Sequence, residues 1–307
     1  MVALNIKCII INITFRKYKN KLLLQKVGVT MNLTLHENIT GYLQANNIIQ
    51  NYPSSEYGVV CETENNIAAY LYYSKNLYHS SAIYLHFAIL DKDVDSETLI
   101  KMYDKFNEVL PSSNIILQVH RNFDLYEDFI KTNDFSEFRK TYEPEVGIQK
   151  MITRFSNNNF EEKHTNKNLS MTDGLQELSK QVYQSTHEIN PLKNMDLSEW
   201  KDLITDDLDI EHSIVICDQQ DDIVAYLMMY ENEDAYKDAG YCYFKDQEAK
   251  NSLSSEFHNV LLKLEETRIT HLNLEVDSTD TYSYELFRDF IEDETPSLVS
   301  YIKQNND

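Results

Sequence analysis

Residues 58–72 read GVVCETENNIAAYLY, and residues 214–228 read IVICDQQDDIVAYLM. At an offset of 156 positions without a gap, six of these 15 positions are identical. The identical pairs are Val59/Val215, Cys61/Cys217, Ile67/Ile223, Ala69/Ala225, Tyr70/Tyr226 and Leu71/Leu227. In both segments, two runs rich in β-branched and aromatic residues flank a polar tetrad, TENN or QQDD. This pattern predicts a β-hairpin that occurs twice in the chain.

A second pair of similar segments follows each hairpin. Residues 114–122, NIILQVHRN, correspond to residues 271–279, HLNLEVDST, at an offset of 157 positions. Each of these predicted strands is followed by a predicted short helix, over 125–131 and over 282–290. Equivalent elements that recur in the same order at nearly the same spacing predict an internal duplication of one fold.

Each copy has the predicted element order β-β-β-α-β-α-β. Leu253, Phe257, Val260, Leu261 and Leu264 share one face of a long helix over 249–268, which corresponds to a helix over 95–110 in the first copy. Hairpins favour antiparallel pairing, and the long helix favours a crossover to a parallel strand. We therefore expect an α/β fold with a mixed, mostly antiparallel sheet and helices on both faces. The strands are predicted at 57–62, 67–73, 82–90, 114–120 and 137–143, and at 213–218, 223–230, 239–245, 271–276 and 298–303.

The composition predicts two domains of ordinary size within 307 residues. We place them at 31–150 and 171–307, with 151–170 as a linker because 156–170 is polar and nearly free of apolar residues. The first 30 residues contain six Lys or Arg and no acid. We expect 1–30 to be a basic extension and Met31 to be the natural start. A membrane tether is the alternative for this segment, although its apolar run is too short to span a bilayer.

The net charge of −22 excludes some partners and favours others. An acidic surface repels phosphate backbones, so we expect no nucleic-acid partner. The same field favours a cationic substrate such as an amine or a Lys-rich peptide, although an acidic surface also serves solubility alone. The four cysteines and nine histidines show no metal-ligand spacing. We therefore expect a cytoplasmic protein with no metal site and no membrane partner.

The stretch 272–290, LNLEVDSTDTYSYELFRDF, resembles the GNAT-type N-acetyltransferases. Its strand ends at Val276, a polar residue follows four places on at Asp280, and a short helix ends with the aromatic residues Phe287 and Phe290. The terminal SLVSYIKQ resembles the closing strand of that family. The resemblance covers about residues 170–304, and the first copy joins it mainly through the repeat. It implies a tandem GNAT-like fold whose first domain is strongly degenerate.

The resemblance also implies acetyl-CoA as the acyl donor. In that family, two splayed strands hold the pantetheine arm, and a glycine-rich turn binds the pyrophosphate through backbone N–H groups at a helix N-terminus. The matching turn here is 247–252, QEAKNS, in which Lys250 and Ser252 occupy the two small-residue positions. The residues expected to contact the cofactor are Phe244, Gln247, Lys250, Ser252 and Asp280. The matching turn of the first copy, 90–97, has no glycine and four acids, so we expect no CoA there.

Acetyl transfer needs a base for the amine and an acid for the leaving thiolate. The resemblance implies Asp238 as the base, whereas Glu231 and Glu233 lie in the preceding turn and are more typical of a solvated hairpin. The family's usual acid is a tyrosine at the position of Phe287. Tyr284, one helical turn earlier, is the predicted substitute, and Tyr282 is less well placed.

The sequence leaves two functions open. The first is an acyltransferase whose C-terminal half transfers an acetyl group from acetyl-CoA to a small-molecule or peptide amine. The second is a non-catalytic GNAT-like binding protein that has lost CoA chemistry, which the altered phosphate turn and Phe287 favour. A fold alone does not decide between them.

Overall fold

The structure is a computed structural model that describes residues 21–26, 29–46, 48, 56–64, 66–120, 123–156, 165–168, 172–232 and 235–305. The described chain forms two compact units. The N-terminal unit contains the described residues up to Phe138 together with those from Leu298 onward, and the C-terminal unit contains Arg139–Ser297. Within the described residues, no helix is both long and apolar enough to cross a membrane.

The N-terminal unit is a sheet with helices on both faces. Its elements are β1 (Lys21–Lys26), β2 (Val29–Glu37), α1 (Ile39–Ala45), β3 (Tyr57–Glu62), β4 (Ile67–Lys75), β5 (Ala82–Ile89), α2 (Ser96–Asn107), β6 (Asn114–Val119) and α3 (Phe123–Thr132). Strand β7 (Ser136–Tyr142) starts in this unit, and β15 (Leu298–Lys303), the last strand of the chain, also belongs to it. The strand order is β1-β2-β3-β4-β5-β6-β15, in which only the β5/β6 pair is parallel.

Apolar residues on two helices cover the two faces of this sheet. On α2, Leu99, Met102 and Phe106 are fully buried in the larger core. Asp95 caps this helix by accepting a hydrogen bond from the Thr98 N–H at 2.9 Å. On the other face, Ile39 of α1 packs in a smaller cluster with residues of β3 and β4. The predicted layers are therefore present in the first copy.

The C-terminal unit repeats this plan. Its elements are β8 (Glu145–Gly147), α4 (Ile148–Phe155), β9 (Thr165–Asn168), α5 (Asp173–Thr186), α6 (Leu197–Ile204), β10 (Leu208–Cys217), β11 (Ile223–Glu231), β12 (Tyr236–Phe244), α7 (Gln247–Glu266), β13 (His271–Leu274), β14 (Val276–Asp277) and α8 (Thr281–Phe287). A short 3-10 helix at Arg288–Phe290 follows α8. The sheet order is β8-β13-β12-β11-β10-β9, with β12/β13 parallel. The mixed α/β fold class is confirmed in both units.

Helix α4 belongs to the core of the C-terminal unit. Met151 and Phe155 are buried, and the Phe155 ring lies 5.1 Å from the ring of Phe257 on α7. Residues 151–155 were expected in a linker because the polar stretch that follows them dominates the local composition. The apolar positions of 148–155 instead recur at helical spacing and pack against α7. The stretch 157–164 of the expected linker, like residues 1–20 of the expected extension, lies outside the described residues.

Both predicted hairpins are present. Their strand registers show that, in the first strand of the hairpin, the structural alignment of the two copies differs from the sequence alignment by one residue. Cys61 pairs with Ala69, whereas Ala225 pairs with Ile216 and not with Cys217. Cys61 lies in the core beneath α2, and Ile216 lies in the core beneath α7. The structural counterpart of Cys61 is therefore Ile216. A strand that is buried on both faces has no polar alternation to mark its phase, so sequence identity alone cannot exclude a one-residue slip.

The last strand, β15, pairs within the sheet of the N-terminal unit, although in the sequence it directly follows the second copy of the repeat. In the β15/β6 pair, Val299 lies opposite Val119 and Lys303 opposite Ile115. In the C-terminal unit, the place beside β13 is taken by β8, where Gly147 lies opposite His271. The pattern of residues 298–303 correctly predicts a strand, but it carries no information about which strand is its partner.

Candidate functional site

Strands β12 and β13 separate partway along their length. They pair in parallel only from Tyr236/His271 to Ala239/Leu274. Beyond this point β12 stays with β11, with Phe244 opposite Ala225, while β14 pairs with the end of β7. An opening therefore lies between 240–244 on one side and 275–277 on the other. We call it the β12/β13 opening.

A β-bulge marks the start of the opening. Between the pairs Met229/Ala239 and Leu227/Cys242, β12 has two residues, Gly240 and Tyr241, opposite one residue of β11. At the corresponding place in the N-terminal unit, β4 and β5 continue in regular register without an extra residue. Bulges are frequent next to active sites, where they redirect a side chain. This feature therefore favours the C-terminal unit as the functional one.

Gly240 allows the bulge to pack against Tyr230. A Cβ atom at this position would lie 2.4 Å from Cε2 of Tyr230, whose hydroxyl donates to the Ile204 carbonyl at 3.0 Å. We expect Gly240→Ala to lower the free energy of unfolding by about 1–3 kcal/mol, because the buried ring has to move. Gly174→Ala is the control, since its Cβ would have no neighbour closer than 4.0 Å. Urea unfolding followed by tryptophan fluorescence measures both variants, and equal stability of the two would contradict this packing.

The N-terminus of α7 is the predicted pyrophosphate site, and it carries acidic groups. Asp246 caps the helix by accepting from the Ala249 N–H at 2.9 Å, and Glu248 lies in the first turn. Gln247 donates from Nε2 to Oδ1 of Asn251 at 2.8 Å. The Asp246 carboxylate thus occupies one N–H and places a negative charge where a pyrophosphate would bind. This part of the site fits CoA poorly.

Lys250 supplies a positive charge beside this helix start. Its Nζ lies 3.2 Å from Oε2 of Glu285 and 5.3 Å from the ring centroid of Phe244. Phe244 is buried at the end of β12, and Ser252 is half-buried on α7. The structure therefore brings Phe244, Gln247 and Lys250 to the same end of the opening, where Lys250 partly offsets the nearby acids.

Helix α8 places Tyr282 at the opening and leaves Tyr284 exposed. Asp280 caps this helix by accepting from the N–H groups of Tyr282 and Ser283, at 3.0 and 3.2 Å, and burial raises the pKa of its carboxyl group. The Tyr282 ring lies 5.2 Å from the ring of Tyr243 and 5.4 Å from that of Phe244. Burial also raises the pKa of the Tyr282 hydroxyl.

The predicted acid Tyr284 has 37% of its surface exposed, and Phe287 is buried in the core. Tyr284 was predicted as the acid because it lies one helical turn before Phe287. The packing of α8 instead places Tyr282 against β12, because the face that carries Phe287 is turned toward the interior.

The predicted base Asp238 is buried and hydrogen-bonded. Its Oδ1 accepts from Nδ2 of Asn232 at 2.6 Å and from Nδ2 of Asn273 at 3.0 Å. Asp238 lies before the bulge, within the paired part of β12. Of the two turn carboxylates, Glu231 forms an ion pair with Lys237, and Glu233 lies outside the described residues.

Two residues of the opening were missed in the sequence. Tyr241 lies in the bulge, with its ring 5.7 Å from Tyr183 of α5 and 6.2 Å from Trp200 of α6. Glu275 directly follows the last residue of β13. Burial raises the pKa of the Tyr241 hydroxyl, and the nearby Glu275 carboxylate raises it further. The one acidic residue in the run LNLEV was the available signal for Glu275.

A cavity of about 390 Å³ lies elsewhere in the C-terminal unit. Its lining comes from the end of β7, from β8 with Lys150 of α4, and from the segment 290–297. None of the predicted site residues contributes to it. Among the residues that the structure describes, no group of His, Cys, Asp and Glu side chains could hold a metal ion.

Comparisons with known proteins identify the class of fold. No family model matches the sequence, and no curated protein matches it significantly. Among solved structures, a GCN5-related N-acetyltransferase from Sphaerobacter thermophilus is similar at a TM-score of 0.57 and 10% identity, over 87% of this chain and 86% of that one. A tandem GNAT protein from the clavulanic acid biosynthesis pathway matches at a TM-score of 0.48 and 5% identity, over 82% of this chain and 83% of that one.

The protein therefore has the GNAT acyltransferase fold, and the resemblance that residues 272–290 suggested is confirmed at the level of the fold.

Proposed function

We propose that the chain is an acyltransferase whose C-terminal unit transfers an acetyl group from acetyl-CoA to an amine. The single observation that carries this proposal is the β12/β13 opening with its bulge at Gly240 and Tyr241. An opening between two parallel strands offers free backbone groups to an extended pantetheine arm. Two cysteines of the described chain, Cys61 and Cys242, are free thiols, in keeping with a reducing cytoplasm.

In this reaction the amine nitrogen attacks the thioester carbonyl carbon. The new C–N bond forms, the C–S bond breaks, a base takes the proton of the amine, and an acid protonates the leaving thiolate. Asp238 is the base that the sequence predicts. For the acid, we propose Tyr282 ahead of Tyr284, because the Tyr282 ring packs against β12 whereas Tyr284 is exposed.

For the donor, we propose that Gln247, Lys250 and Ser252 contact the pyrophosphate, with Phe244 and Asp280 beside them. The N-terminal unit is not a donor site in this proposal. There Asp95 caps α2, and Glu97 lies in its first turn. For the acceptor, the net charge of −22 attracts a cation.

The thermal midpoint of the full chain, measured with acetyl-CoA and with free CoA, tests the proposal. A ligand at about 100 times its dissociation constant stabilises the folded state by about 2.7 kcal/mol, which raises the midpoint by roughly 5–10 °C. We expect Lys250→Glu to abolish the rise, and the charge-matched control Lys263→Glu, at the other end of α7, to leave it unchanged. No rise at millimolar CoA would exclude the acyltransferase.

One observation favours the alternative of a non-catalytic GNAT-like binding protein, namely the Asp246 carboxylate at the α7 N-terminus. Asp246→Asn distinguishes the two functions, because it retains the cap and removes the charge. If a phosphate binds here, this variant has a higher affinity for CoA than the natural chain. If CoA binds to neither form, the protein binds another ligand.

A further inference from the structure

Three aromatic residues and one carboxylate border the β12/β13 opening on the sheet face opposite α7. Cys242 of β12 lies in the core with α7, whereas the neighbouring Tyr241 lies against Tyr183 of α5 and Trp200 of α6. Trp200 is fully buried and donates from Nε1 to the Ser179 hydroxyl at 3.0 Å. Tyr183 and Tyr241 are half-buried residues, and the Tyr183 ring also stacks on the ring of His187, with 3.9 Å between the ring centroids.

Glu275 is on the same face as Tyr241. Leu272, Leu274 and Val276 lie in the core with α7, so the alternation of side chains along the strand turns Glu275 to the other side. Its side chain keeps access to water. Even so, the surrounding protein groups desolvate the carboxyl group and raise its pKa, an effect that Asp277 and Glu143 increase and Arg139 opposes.

The two carboxylates at this end of the sheet differ in availability. Asp238 is buried and accepts two amide hydrogen bonds, at 2.6 and 3.0 Å, within the paired part of the strands. Glu275 follows the last parallel pair, where the opening begins, and is exposed. Within the described residues, no side chain donates a hydrogen bond to Glu275. A reacting amine can therefore reach Glu275 more directly than Asp238.

We propose that Glu275, not Asp238, binds the acceptor amine and takes its proton, with the Tyr183 and Tyr241 rings as the wall of the acceptor site. This inference rests on the proposed acyltransferase function. The ligand class is a small primary amine that carries an apolar group. Its ammonium pairs with the carboxylate, and its apolar part packs on the two rings. The bound ammonium first releases one proton to solvent, because only the neutral amine has a lone pair for attack. As the C–N bond then forms and the C–S bond breaks, the second proton moves from the nitrogen to an oxygen of Glu275, and the leaving thiolate takes its proton from the proposed acid.

The first test measures amine binding without acetyl-CoA. Trp200 is the single tryptophan of the chain, and its ring lies close to Tyr183 and Tyr241. We expect phenethylamine to change its fluorescence and uncharged 2-phenylethanol to have a much weaker effect. Glu275→Gln is expected to weaken phenethylamine binding at least tenfold, because the carboxylate that pairs with the ammonium is lost. Glu266→Gln, an exposed change at the end of α7, is the matched control.

The second test measures acetyl transfer to phenethylamine. We expect Glu275→Gln to lower kcat/KM by about 10²–10⁴-fold, with an unchanged dissociation constant for acetyl-CoA. In the natural chain, we expect kcat/KM to rise with pH as Glu275 loses its proton. This acidic limb of the pH profile should be absent from the Glu275→Gln variant and present in the Asp238→Asn variant.

The outcomes separate the two proposals. If the natural chain does not bind acetyl-CoA, the acyltransferase proposal fails, while the fluorescence titration still decides whether Glu275 recognises the amine. If Glu275→Gln binds phenethylamine as the natural chain does, or keeps its acidic limb, the assignment of Glu275 is overturned.

Discussion

Truncation of the chain after Ser297 is expected to destabilise the N-terminal unit around β5 and β6. The deleted strand β15 pairs with β6 over five residues, Val299–Lys303. Val299 and Ile302 are buried, and Ile302 packs with Ala82 and Ile116. Burial of two such side chains contributes about 3–6 kcal/mol, which is a large part of the stability of an ordinary domain.

Hydrogen exchange measures this effect for each unit separately. We expect protection to fall in β5 and β6, while the fluorescence of Trp200 reports a folded C-terminal unit. A point variant of the full chain, Ile302→Asp, should have the same effect, and Gln304→Asp, at an exposed position two residues on, should not. Full protection of β6 in the truncated chain would contradict the pairing of β15 with β6.

Replacement of Lys237 by methionine is expected to destabilise the C-terminal unit by about 3–5 kcal/mol, because it leaves a buried carboxylate without its cation. Lys237 and Asp209 have 9% and 5% of their side chains exposed, and Nζ lies 2.7 Å from Oδ2. His212 Nδ1 lies 2.7 Å from the same oxygen. Urea unfolding followed by Trp200 fluorescence measures the loss.

The effect should depend on pH in a defined direction. Burial alone would raise the pKa of Asp209, but hydrogen bonds from Lys237 and His212 outweigh it, so the pKa is lowered. The stabilisation is therefore present above the unfolded pKa of about 4 and is lost as the pH falls through the folded value. The difference in the free energy of unfolding between the Lys237→Met variant and the natural chain should therefore become smaller at acidic pH.

A double variant provides the control. Asp209→Asn together with Lys237→Met removes both charges, so it should be more stable than Lys237→Met alone. If the double variant is as unstable as the sum of the two single changes, the ion pair is not the cause.

Part of the candidate site could be predicted from local sequence. The motif at 272–290 placed Asp280 directly before the short helix α8, which it caps in the structure, and the turn at 247–252 placed Lys250 near the start of α7. These residues depend on neighbours a few positions away, and such relations repeat in a recognisable pattern. Asp238 was predicted next to the strand 239–245 and lies within β12, which begins at Tyr236. The two amides that bind it come from a turn and from β13.

Tyr282, Tyr241 and Glu275 could not be ranked from the sequence. Tyr282 and Tyr284 belong to one short helix, and only the packing of α8 against β12 shows which ring faces the opening. The bulge that turns Tyr241 toward α5 is a difference in register between two strands. No residue in the run marks it except Gly240, which is compatible with several conformations.

The fold class, the duplication and most of the strands and helices could be predicted before the structure was known, because hydrophobic periodicity and turn residues act over short distances. The pairing of the strands became known only from the folded chain. The tertiary structure placed β15 beside β6, moved 151–155 into the core, and shifted the first strand of the repeat by one residue. Strand pairing depends on contacts between residues that are distant in the chain, and strands that are buried on both faces carry no alternation that would specify their partner or phase.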